Sequence, residues 1–129
     1  MAPAMTPIDY AETESFQKDF KRLKKKFRTL EEDLANVKQH AIELYHLQGI
    51  DSRGIFQIPG FCTETIKIFK IKKFACKALK GKGAQSGIRI IYAFHPNTGK
   101  IDFIEMYFKG EQENEDRSRI ENYLKNSKF

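Results

Sequence analysis

Phe16, Phe20, Leu23 and Phe27 recur at spacings of four, three and four, a pattern that lays them along one face of a helix. Ser15 stands where an N-cap belongs, and the opposite face carries Lys18, Lys21, Arg22, Lys24, Lys25 and Lys26. Thr29-Leu30-Glu31-Glu32 then reads as a capping box, in which Thr29 and Glu32 satisfy each other's backbone donors. The stripe Leu30, Leu34, Val37, Ala41, Leu44 and Tyr45 continues a second helix to about Gln48, and Gly49 stops it. Only Arg28 separates Phe27 from the cap, so the two helices form an antiparallel hairpin.

The period changes after Gly49. Residues 49–64 hold the breakers Gly49, Gly54, Pro59 and Gly60 and read as a loop, tacked to the core by Ile55, Phe56, Ile58 and Phe61. A short extra strand fits before residue 65. Residues 65–79, rich in Ile, Phe and Lys, predict a strand whose alternation slips near Phe69 to Ile71, where a bulge reconciles the two halves. A hairpin follows: Gly87 to His95, the turn Pro96-Asn97-Thr98-Gly99, and Lys100 to Lys109. Asn114 caps a last helix that starts on Glu115 and Asp116 and runs to about Lys125. The order predicts an α+β domain over residues 15–126, with its helices on one face of a small antiparallel sheet. Residues 1–14 read as a loose leader.

A chain of 129 residues suits one domain, and 40% hydrophobic content excludes global disorder. No apolar run reaches the ~20 residues of a membrane span, and the first fifteen residues lack the layout of a secretory signal. Cys62 and Cys76 fit no metal spacing and are expected as reduced thiols in a cytoplasmic protein. His40 and His46 lie six residues apart, which is not the spacing of a helical metal pair, and are expected at the surface or at a cap. The glycines of residues 80–87 lack the spacing of a phosphate-binding loop. Neither a metal nor a cofactor is expected.

Charge adds the first functional signal. The net charge of +6 is unevenly spread: between Glu64 and Asp102 lie Lys67, Lys70, Lys72, Lys73, Lys77, Lys80, Lys82, Arg89 and Lys100 with no acid among them. A one-signed stretch in a mixed chain encodes a polyanion-binding face, here RNA contacted by Lys70, Lys72, Lys73, Lys77, Lys80 and Lys82. The competing reading is a lysine-rich strand that protects a sheet edge.

Alternation in the hairpin puts Ile88, Ile90, Tyr92 and Phe94 on a core face with Ile104, Met106 and Phe108. The other face then holds Arg89, Ile91 and Ala93 with Phe103, Glu105, Tyr107 and Lys109, and pairs Arg89 with Tyr107 or Glu105. Cleaving RNA without a metal needs a base, an acid and fixed positive charge. Glu105 and Tyr107 offer proton transfer, and Arg89 and Lys109 offer charge; otherwise Glu105 and Arg89 form an ordinary cross-strand ion pair. His95 sits beside the turn at the far end of the hairpin, and Tyr92 belongs to the core.

The helical hairpin with FQKDFKRLKKKF, the strand SGIRIIYAF and the return strand KIDFIEMYFKG resemble the RelE/ParE superfamily of toxins from bacterial toxin–antitoxin modules, over residues from about 15 to 125. The resemblance implies a basic toxin neutralised by an antitoxin. Its RelE-like branch cleaves mRNA on the ribosome and so represses translation; its ParE-like branch poisons DNA gyrase. Arg89 matches the arginine that RelE-like nucleases place in the phosphate site, and Lys109 matches a basic residue at the end of the last strand. Lys73, Lys77 and Lys80 resemble the basic residues of the preceding strand. The chain departs from RelE after Lys109, where Gly110 and an acidic run replace an arginine and a nearby tyrosine. That departure leaves open a nuclease-dead RNA-binding module.

Overall fold

The computed structural model describes residues 7–127 apart from 52, 80, 82 and 84; Lys80 and Lys82 of the expected basic set lie outside the described residues. The chain runs β1 (Asp9–Glu12), α1 (Glu14–Lys26), α2 (Leu30–Val37), a π-helical turn (Lys38–Ile42), α3 (Glu43–Gln48), β2 (Ile55–Gln57), β3 (Lys67–Ile71), β4 (Ile88–His95), β5 (Lys100–Phe108) and α4 (Arg117–Asn126). The five strands form one sheet in the order β1-β5-β4-β3-β2. All neighbours are antiparallel except β1, which lies parallel to β5 and pairs Asp9 with Lys100.

The sheet is covered on both faces, not on one. Phe16 and Leu23 from α1, Phe27 at its C-cap, and Leu30, Leu34 and Val37 from α2 bury one face against Ile71, Ile90, Tyr92 and Met106. On the other, Ile120 of α4 joins Ile58, Phe61 and Ile66 over Ile68, Ile91, Ala93 and Ile104. Double coverage explains why β3 does not alternate: Ile68 and Phe69 point to opposite faces and both are buried, with no bulge between them. The bulge lies instead in β5, where Ile91 pairs with Glu105 but Tyr92 with Phe103. It turns Ile104 to the α4 face and Phe103 to the helical-hairpin face, the reverse of the alternation read from sequence.

Residues 9–12, expected within a loose leader, are an edge strand because Tyr10 is anchored. Its ring stacks on Phe103 at 5.8 Å, and its hydroxyl donates to the Glu43 carboxylate at 2.9 Å. The cap of α1 is Thr13, not Ser15: its Oγ1 accepts from the Phe16 N–H and donates to the Ile104 carbonyl, tying helix to sheet. No capping box forms at Thr29. Its hydroxyl donates to Asp33 at 2.7 Å and accepts from the Ala78 N–H at 2.9 Å, while Asp33 accepts from the Lys77 N–H and Glu32 pairs with the Lys77 ammonium. These groups serve residues 76–78 because the strand expected over 65–79 ends at Ile71. The second helix runs through its π-helical turn to Gly49, whose φ of 67° is the left-handed cap. Of the loop residues, Ile55, Ile58 and Phe61 are buried, whereas Phe56 is exposed on the edge strand β2.

His46, expected at the surface, packs instead into the helical-hairpin face of the sheet. Its ring stacks on Phe94 at 4.1 Å, and its Nε2 shares a 2.7 Å hydrogen bond with the buried Tyr92 hydroxyl. Cys62 and Cys76 are free thiols.

β1 covers β5 only as far as Phe103, leaving the rest of that edge without a strand partner. There Asp19 of α1, nearly buried, accepts the Met106 N–H at 3.1 Å and takes both guanidinium nitrogens of Arg119 from α4, at 2.6 and 3.1 Å. Two helices on opposite faces are thereby joined around the strand between them.

Two outcomes follow from these contacts. Asp19→Ala strands a partly buried guanidinium and a backbone N–H, and costs about 3 kcal/mol in denaturant unfolding; an unchanged midpoint contradicts the clamp. Burial lowers the His46 pKa from 6.5 to about 4. Between those values the unfolded chain takes up a proton that the fold refuses, so stability falls as pH drops through that window. His46→Gln removes that component, and thermal melts of the two proteins across pH 7 to 4 show it.

Candidate functional site

The register assembles the site on the α4 face. Arg89 of β4 lies directly across from Tyr107 of β5, while Ile91 sits between Lys70 on β3 and Glu105 on β5. The expected polar face is not open. Residues 109–116 and α4 fold over it and leave Tyr107 and Glu105 1% and 2% exposed.

That fold-back depends on Gly110, because a Cβ there would sit 2.6 Å from the Phe108 ring. The Glu111 and Gln112 N–H groups both donate to the Phe108 carbonyl and close the turn. Gln112 then donates from its side chain to Glu105 at 2.8 Å, and the Asp116 N–H donates to the other Glu105 oxygen at 2.8 Å. Glu105 therefore does not pair with Arg89. α4 starts on Asp116, whose carboxylate accepts from the Ser118 N–H, rather than on Asn114.

Glu115 completes the cluster. One of its oxygens lies 2.7 Å from the Lys70 ammonium and accepts from the Tyr107 hydroxyl at 3.5 Å. Burial works against the Lys70 ammonium, but its bonds to Glu115 and Tyr107 outweigh that and hold its pKa above the usual lysine value. Burial also lifts the Glu115 carboxyl, and the Lys70 hydrogen bond more than reverses it. The Tyr107 phenol and the Glu105 carboxyl are both raised, chiefly by burial, against opposing hydrogen bonds. At neutral pH the phenol keeps its proton. The chemistry at hand is thus a protonated phenol, a carboxyl whose pKa burial raises and two cations.

Arg89 is half-buried and donates only to the Ile88 carbonyl at 3.4 Å, with no acidic partner among the described residues. Lys109 is exposed at the end of β5. The basic set does not converge: Lys70 faces α4, Lys72 lies over the Phe56 ring at 4.7 Å, and Lys77 pairs with Glu32 on α2. Lys73 is exposed beside Gly54. His95, at the far end as expected, shares a 2.7 Å hydrogen bond with Tyr123, which donates to Asp102. A cleft of about 400 Å³ between α4 and the start of α1 is lined by Thr13, Ile104, Arg119, Asn122 and Asn126 and includes none of Arg89, Glu105, Tyr107 or Lys70.

Sequence reasoning missed Glu115 and Gln112 as members of the site. The acidic run was visible, but an aperiodic loop does not say which carboxylate reaches which cation. Among the described residues no helix is long and apolar enough to cross a membrane, and no group of three or more His, Cys, Asp or Glu is placed to hold a metal ion.

No family model matches the chain, and no curated protein matches its sequence. Its fold is similar to that of a chain in the crystal structure of an archaeal RelE–RelB complex from Pyrococcus horikoshii OT3. The TM-score is 0.50 at 11% identity, covering 81% of this chain and 98% of the other. The class is therefore an α+β domain of RelE-like fold: a helical hairpin on a small sheet, with a C-terminal helix.

Lys70→Ala removes the cation between Glu115 and Tyr107 and costs about 2 kcal/mol. Lys72→Ala, at an exposed position, costs about 0.5 kcal/mol. Urea unfolding of the two variants tests the difference, and equal costs would contradict the cluster.

Proposed function

We propose that this chain is the toxin of a toxin–antitoxin module and acts in the cytoplasm as a ribosome-dependent mRNA endoribonuclease that represses translation. The observation that carries the proposal is the Arg89–Tyr107–Lys70 cluster, two cations and a phenol on adjacent strands of a RelE-like fold.

In this reading the substrate's own 2′-hydroxyl attacks the adjacent phosphorus, the bond to the 5′-oxygen breaks, and a 2′,3′-cyclic phosphate remains. Glu105 accepts the proton of the attacking hydroxyl once Gln112 and Asp116 release it; burial raises its pKa and so makes it a stronger base than an exposed carboxylate. Tyr107 gives its proton to the departing 5′-oxygen. Arg89 and Lys109 stabilise the charge that gathers on the phosphorane. Lys70 contacts an RNA phosphate beside Tyr107, and Lys72, Lys73, Lys77, Lys80 and Lys82 contact phosphates farther out. No metal or cofactor takes part. An antitoxin with an acidic segment fits the basic surface by charge complementarity.

A second reading is RNA binding without cleavage, favoured by the burial of Glu105 and Tyr107 beneath the acidic segment. Mapping mRNA ends after incubation with translating ribosomes separates the two.

Arg89→Ala is expected to slow cleavage by about 100-fold or more with an unchanged circular dichroism spectrum, because the arginine faces away from the larger core. Arg89→Lys restores only part of the rate, since an ammonium lacks the forked donors. Tyr107→Phe lowers the rate while RNA affinity holds. If Arg89→Ala cuts as fast as the wild type, the assignment of this site is wrong.

A further inference from the structure

Glu111 and Glu115 have no role in the proposed reaction, yet the carboxylates of both lie on cations. We infer that Glu111 and Glu115 fill, from within the chain, two phosphate seats of an RNA-binding path that crosses the free edge of β5.

Glu111 marks the first seat, on the α1 side. One oxygen lies 3.2 Å from the Arg22 guanidinium and the other 3.8 Å from the Lys26 ammonium, so one oxyanion bridges two cations of the same helix. Lys26 also stands 4.7 Å above the Phe108 ring, which gives the seat an aromatic floor. The second seat, on the α4 side, holds the Glu115 oxygen between Lys70 and the Tyr107 hydroxyl, at 2.7 and 3.5 Å. A phosphate oxygen makes the same contacts as these carboxylate oxygens.

Position joins the seats into a path. β1 leaves the end of β5 uncovered, and the segment crosses that uncovered edge. Glu111 and Glu115 are four residues apart, so their Cα atoms are separated by no more than about 14 Å. A few nucleotides of a single strand span the same gap.

Chemistry selects RNA over a protein partner. Beyond Arg22, the exposed face of α1 continues through Lys18, Lys21 and Lys25 without an apolar side chain. Lysine is depleted in protein–protein interfaces, which need an apolar centre, and suits a phosphate backbone. The Glu111 pairs are solvent-exposed and contribute little to the fold, so a polyanion displaces them readily. Glu115 is held more tightly, and its displacement uncovers Tyr107 and Glu105. Binding along the path is thus coupled to opening the site.

The inference rests on the RNA reading above, and the experiment keeps the two apart. Binding of a fluorescent oligouridylate to the full chain is measured by anisotropy over a salt series, for the wild type, E111Q/E115Q and E12Q/E121Q. The last pair removes two exposed acids that make no ion pair among the described residues, with the same change in net charge. E111Q/E115Q is expected to bind about tenfold tighter, because the binding-competent state no longer competes with an internal ligand. Its salt dependence steepens by about 1.4, or 0.7 for each phosphate seated. E111Q alone, at an exposed position that does not threaten folding, steepens it by about 0.7. Equal tightening by E12Q/E121Q, or none by E111Q and E111Q/E115Q, overturns the inference and leaves RNA binding standing. If no protein in the set binds the oligonucleotide, the RNA reading falls and this inference with it.

Discussion

The contact between Asp19 and Arg119 decides how this fold is closed. A sheet edge with free N–H groups invites another strand, and half of the β5 edge has none. Asp19 answers with a carboxylate rather than a strand, taking the Met106 N–H with one oxygen. The same carboxylate receives Arg119, so α1 and α4 are held at fixed positions on opposite faces. Neither helix could shift without uncovering a nearly buried charge. The placement of residues 109–116, which join β5 to α4, follows from that constraint.

Much of the architecture was legible because one-sided burial leaves a period. The helical hairpin, the β4–β5 hairpin with its Pro96–Gly99 turn and the core role of Tyr92 came from spacing alone; for Arg89 spacing left Tyr107 or Glu105 as the partner, and the register selects Tyr107. What failed did so for physical reasons. β3 is buried on both faces, so Ile68 and Phe69 in succession imitated a bulge, while the real bulge at Ile104 was hidden because Phe103 and Ile104, side by side, are both apolar. β1 escaped notice because four residues anchored by one tyrosine leave no pattern. Thr29 and Glu32 match a capping box in sequence, but residues 76–78 compete for the same groups and win.

The candidate site shows the same limit more sharply. Alternation placed Arg89, Glu105 and Tyr107 on one face, and that is where they are. It did not show that the face is roofed, because the roof is made by a loop whose contacts are tertiary. Charge counting is similarly coarse: the uninterrupted basic stretch lies on several surfaces, and Lys70 and Lys77 meet acids from distant parts of the chain. A run of one sign in sequence becomes a patch only when the fold keeps it together.

β1 also bears on the order in which the molecule can assemble. Its partner β5 is the last strand of the sheet in chain order, so their parallel pairing closes a loop holding nearly the whole domain. Such a closure carries a large entropic cost that only a preformed β5 can offset. The antiparallel strands follow one another in sequence, so each pairing closes a loop far shorter than the one β1 closes. β1 therefore docks late, onto a sheet already built, and during synthesis its register waits for the ribosome to release residues 100–103. The first ordered strand of the chain is the last to find its place.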